Sequence, residues 1–148
     1  HHLLAALENN SLHFPNLRVV KLESYFLSRH IIQALGWLLH LSPNVESLSI
    51  VNRGMLEPSK PENEDYWAGV SWSCKLHCLR SVEIRGLLGY YNELKLVEII
   101  FKNAVVLEKM VLYSSKESTA DKRLTFGEKL LKLPRASFKC HNIFGLIT

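Results

Sequence analysis

The sequence predicts an α/β solenoid in which parallel strands line a concave face and helices pack outside them. Two observations carry this expectation. A template of one apolar residue, two variable positions and then apolar–variable–apolar occurs four times. Its copies are Leu17-x-x-Val20-x-Leu22, Val45-x-x-Leu48-x-Ile50, Leu79-x-x-Val82-x-Ile84 and Leu107-x-x-Met110-x-Leu112. Their first positions lie 28, 34 and 28 residues apart, and self-similarity at such a spacing marks a repeat architecture. Between most copies the apolar residues change from alternation to three- and four-residue spacing, the shift from strand to helix period. The spacing falls near or slightly above that of leucine-rich repeats, so the solenoid is expected to be leucine-rich-repeat-like. An open doubly wound sheet, with helices on both faces, gives no reason for the strand sequences themselves to repeat.

Taken in order, the first strand follows Phe14-Pro15-Asn16, and the second follows the similar Ser42-Pro43-Asn44. Ser28 caps a helix between them, with Ile31, Leu35, Leu38 and Leu39 on one face. From Asn52 to Ser73 the helix expected between the second and third strands is replaced by a loop. That loop holds Pro58, Pro61, the acidic run Glu62-Asn63-Glu64-Asp65, Trp67 and Trp72. After the third strand, Gly86 and Gly89 supply the turn into a helix capped at Asn92, with Leu94, Val97, Ile100, Phe101 and Ala104 inward. Ser114 to Arg123 reads as a polar, mobile loop. A short helix then runs from about Thr125 through Leu133 to Pro134, where the missing N–H must end it. A last strand falls near Ala136 to Phe144, fitting the template poorly.

The 148 residues are 47% hydrophobic and 22% charged, enough for one core-bearing domain. The net charge of +4 is not concentrated: the densest basic pair is Lys122-Arg123. A nucleic-acid surface needs basic residues gathered on one face, so none is expected. The longest apolar stretch, Ile31 to Leu41, is interrupted by Gln33 and His40 and falls short of the about 20 residues a bilayer requires. No membrane partner is expected. His1-His2-Leu3-Leu4 has neither the basic start of a signal peptide nor an initiator Met, as a fragment of a longer protein would show. Three cysteines are too few for a stapled secreted domain and place the chain in a reducing compartment, cytoplasm or nucleus.

Three patterns in the sequence hold residues that could carry chemistry. Cys74, His77, Cys78, Cys140 and His141 carry zinc-ligating atoms. Their spacing is not that of a tight knuckle, however, and adjacent Cys140 and His141 would point to opposite sides of a strand. Cys78, just before a strand, reads as a small buried packing residue. Ser71, Ser73, Cys74 and His77 lie close together without a nucleophile elbow around them. Gly86-Leu87-Leu88-Gly89 lacks the further Gly and Lys of a phosphate loop. The expectation is therefore no catalytic residue, no metal site and no cofactor.

Surface recognition remains. Residues between the last two apolar positions of each copy face the concave side: Lys21, Ser49, Glu83 and Val111. Those before them add Val19, Ser47, Ser81 and Lys109. The stripe of charge, hydroxyl and aliphatic groups suits a protein-binding surface as well as a plain solvated one. Trp67 joins it as a loop aromatic of the kind enriched at interfaces, whereas Trp72 is read as covering the core.

From Trp72 to Tyr113 the chain resembles the FBD domain found at the C-terminus of plant F-box proteins with leucine-rich repeats. The residues that carry the resemblance are Cys78-Leu79, the strand from Leu79 to Ile84, Gly86, Gly89, Glu93-Leu94, Asn103-Ala104 and Leu107 to Met110. Leu133-Pro134-Arg135-Ala136-Ser137 and Cys140 resemble that module's close. The organisation implied is terminal leucine-rich repeats over 1–52, a loop insertion over 53–73, and an FBD-type module over 74–148 that continues the solenoid. The resemblance implies a non-enzymatic, substrate-recognising part of an F-box adaptor of a cullin-RING ubiquitin ligase. The ligase adaptor would then be reached only through an F-box, which these 148 residues do not contain. The alternative is a stand-alone interaction scaffold of repeats without a ligase link.

Overall fold

In the computed structural model, residues 13–25, 27–54 and 70–146 are described. Among them five strands and three helices follow in the order β1 (Val19–Ser24), α1 (Arg29–Leu41), β2 (Ser47–Asn52), β3 (Ser81–Leu87), α2 (Tyr91–Asn103), β4 (Lys109–Ser114), α3 (Ala120–Leu131) and β5 (His141–Leu146). All five strands form one parallel sheet in sequence order, β1-β2-β3-β4-β5. The four template copies fall into register. Val20, Leu48, Val82 and Met110 are paired across the sheet, as are Leu22, Ile50, Ile84 and Leu112. Apart from half-buried Leu22, these residues are buried, and together with Val45, Leu79 and Leu107 they belong to one core cluster.

Alternation explains how one cluster suffices. Successive strand side chains point to opposite faces, so the apolar positions all enter the same side. The buried residues of the three helices join that same cluster, including Ile32, Leu35 and Leu39 of α1, Leu96 and Ile100 of α2, and Phe126 and Leu130 of α3. The helices therefore cover one face and, among the described residues, leave the other open, which excludes the doubly wound alternative. At the strand entrances a main-chain ladder repeats with the units. Glu46 donates to the carbonyl of Arg18, Arg80 to that of Glu46, Glu108 to that of Arg80 and His141 to that of Glu108, at 2.8 to 2.9 Å.

Several local expectations are corrected. Ser28 caps α1 as expected, its hydroxyl accepting from the Ile31 N–H. Asn92 does not cap α2: the cap is Tyr90, and Asn92 is buried inside the first turn, donating from Nδ2 to the carbonyl of Leu27 at 2.8 Å. α3 begins at Ala120 rather than near Thr125, because Thr119 accepts from the Lys122 N–H. Its first turn is polar and solvent-facing, which disguised it as loop, and Ser114, assigned to the same loop, closes β4. The last strand spans His141–Leu146, parallel to β4, rather than starting near Ala136. Cys78 is half-buried rather than buried.

Candidate protein-binding face

The side chains between the buried rungs all emerge on the open face, and the register arranges them in rows. One row runs Val19, Ser47, Ser81, Lys109 and His141; the next runs Lys21, Ser49, Glu83 and Val111. The structure thus brings together eight of the nine residues singled out from sequence, Val19, Lys21, Ser47, Ser49, Ser81, Glu83, Lys109 and Val111. Trp67 lies outside the described residues. Val111 is covered by its neighbours, only 7% exposed, and adds smoothness rather than reach. Lys21 and Lys109 are exposed and make no ion pair among the described residues.

A third row, Glu23, Val51, Arg85 and Tyr113, was not anticipated. It carries the strongest interactions of the face. Arg85 donates from Nε to Glu83 at 3.0 Å, and its guanidinium carbon lies 4.3 Å from the centre of the Tyr113 ring. Glu23 pairs with Arg53 at 2.6 Å, holding that guanidinium above its ordinary value. The signal was available: strand alternation continues one step past the template's last apolar residue, to Glu23, Val51, Arg85 and Tyr113. A stacked arginine and tyrosine are residue types enriched where proteins meet. Tyr25, 81% exposed, stands just beyond β1.

The strand ends that carry this third row are held by a buried carboxylate. Glu93, only 1% exposed, accepts from the backbone N–H groups of Leu88, Gly89 and Tyr90 at 2.7 to 3.0 Å and from Asn52 Nδ2 at 2.9 Å. It ties the end of β2 to the turn between β3 and α2. Burial pushes its carboxyl up, while the four donors pull it down. Gly86 and Gly89 in that turn have φ of 80° and 92°, the left-handed region that favours glycine. A Cβ at Gly86 would also press into the Asn52 carbonyl. Behind the sheet, Trp72 is buried as expected. Its indole N–H donates to the carbonyl of Ile32 at 3.0 Å, and its ring lies where a Cβ of Gly36 would sit.

The residues weighed for other chemistry fall elsewhere. Ser71, Ser73 and His77 are exposed, and Cys74 is half-buried with its thiol pushed up by burial. Burial also pushes the Cys140 thiol up, partly countered by Arg135. Cys74, Cys78 and Cys140 are free, and no three His, Cys, Asp or Glu side chains converge on a metal-binding geometry among the described residues. No helix among those residues is long and apolar enough to cross a membrane.

No curated protein and no solved structure matches the chain. Residues 72–112 match the family model described as FBD, which supports the resemblance to F-box-associated proteins over under a third of the chain. That range holds Trp72, the Gly86–Glu93 turn and, on the open face, Ser81, Glu83, Arg85, Lys109 and Val111.

Proposed function

We propose that this chain is the substrate-recognising part of an F-box-type adaptor of a cullin-RING ubiquitin ligase, non-enzymatic itself, which binds its target protein through the open face of the sheet. In this reading the repeat units form a leucine-rich-repeat-type solenoid. Residues 1–52 are its terminal repeats, 53–73 an insertion and 74–148 the FBD-type module of a plant protein working in the cytoplasm or nucleus. The observation that carries the reading is the overlap of the family match with β3 and most of β4: Glu83 and Arg85 of the face's centre lie inside it, and Tyr113 follows one residue beyond. Burial raises the Cys74 and Cys140 thiols, the opposite of an activated cysteine nucleophile.

The test is affinity purification of the protein that carries this chain, from its own cells, beside a Ser81→Arg/Glu83→Arg variant. The expected result is a reproducible protein partner together with a ligase adaptor, the variant losing the partner and keeping the adaptor. A partner without an adaptor would point instead to a stand-alone scaffold. Recovery of neither would overturn both readings.

A further inference from the structure

The face opposite the open sheet carries a groove of about 610 Å³ between α2, the Val70–Trp72 segment and the connection that follows α3. Its apolar floor includes Trp72, Ile99 and Pro134, and its charged residues are Lys95, Glu98, Lys102 and Arg135. Lys95 and Glu98 pair at 2.9 Å. Lys102 makes no ion pair among the described residues, and Arg135 lies with its guanidinium carbon 4.8 Å from the centre of the Phe101 ring. The pair cancels, so among the described residues the groove carries two uncompensated positive charges.

The state of Arg135 is more specific than its charge. Its Nε and Nη2 are shielded from solvent and have no hydrogen-bond partner among the described residues. These two nitrogens form one edge of the guanidinium, where two parallel N–H groups match the two oxygens of a carboxylate. Buried donors are ordinarily satisfied, and an orphaned pair in this geometry calls for an acceptor. Arg135 as a residue is only half-buried, and Pro134 and Ala136 on either side line the same groove. Engaging a carboxylate requires that shielded edge to turn from its place beside the Phe101 ring into the groove.

We infer that this groove docks an extended acidic peptide segment of a protein partner, with one carboxylate forked on Arg135, a second near Lys102, and an apolar side chain against Trp72 and Ile99. Charge complementarity selects an acidic occupant, and the apolar floor selects one that alternates acidic and apolar residues. The site stands apart from the open face and does not depend on the ligase reading.

The test is an NMR titration of the isotope-labelled 148-residue chain with a capped hexapeptide of alternating glutamate and leucine, and with the same peptide carrying glutamine for glutamate. The expected result is movement of the Trp72 indole N–H and of the Ile99, Lys102 and Ala136 amides at low-millimolar glutamate peptide, with none from the glutamine peptide. Arg135→Gln should weaken binding about tenfold and Arg135→Lys less, since a lysine keeps the charge and loses the fork. Lys102→Gln, at an exposed position, should weaken it a few-fold with an unchanged melting temperature, which keeps the test decisive if Arg135→Gln does not fold. The proposal is overturned by equal binding of the two peptides, by indifference to both substitutions, by movement centred on Ser49 and Glu83 instead, or by no movement at all.

Discussion

Removing the Glu93 side chain probes the joint that sets the open face. Four donors converge on its carboxylate, the N–H groups of Leu88, Gly89 and Tyr90 and the Asn52 amide. In Glu93→Ala, water can reach the half-buried Gly89 and Tyr90. The Leu88 N–H and Asn52 Nδ2 stay buried without an acceptor, at about 1–3 kcal/mol each. Loss of the acceptor for the helix cap adds about 1 kcal/mol. The sum is about 3–7 kcal/mol, against the roughly 5–15 kcal/mol that a domain has in all. Glu93→Gln keeps one acceptor oxygen for the backbone donors but turns an NH₂ toward Asn52, so about 1–3 kcal/mol is expected. Urea unfolding followed by far-UV circular dichroism measures both. A loss below about 1 kcal/mol in the alanine variant would refute the clamp. Equal losses in the two variants would show that filled volume matters, and not the acceptor.

Other consequences are open to measurement. Burial raises the Glu93 carboxyl in the folded state, so the stability it supplies is complete below the unfolded carboxylate value and lost as pH rises through the folded one. The stability gap between wild type and Glu93→Gln should therefore narrow from about pH 4 toward neutrality, and a widening gap would mean that the four donors outweigh burial. Gly36→Ala puts a methyl group into the Trp72 indole; about 1–3 kcal/mol of destabilisation and a red-shifted tryptophan emission are expected by thermal melting and fluorescence. Arg85→Ala breaks an ion pair that is partly solvated on both sides, so thermal melting should show under about 1 kcal/mol while partner binding falls markedly.

The strand register could be read from sequence because Leu17, Val45, Leu79 and Leu107 each open the same six-residue template, and strand alternation assigns the remaining positions to faces. The Ser28 cap was legible for a similar reason: a hydroxyl directly before an apolar helical face is a local signal. Non-local contacts were not legible. Glu93 depends on Asn52, 41 residues earlier, and Asn92 on the Leu27 carbonyl, 65 residues earlier, so the polar residue nearest the helix start was mistaken for its cap. The start of α3 was hidden because Asp121 and Lys122 turn to solvent, and with half-buried Arg123 they show no apolar period. Arg85 and Tyr113 were passed over because the template ends one residue before them, although the pleat that exposes Glu83 exposes them as well.

Whether the open face meets a protein is tested most directly by site-specific photocrosslinking in cells, with a benzophenone side chain at Ser81 in one sample and at Glu128 on α3 in another. The open-face reading predicts a discrete protein adduct from position 81 that is absent from position 128 and is suppressed by Glu83→Arg. Adducts from position 128 alone, or none from position 81 while the protein is intact and folded, would contradict it.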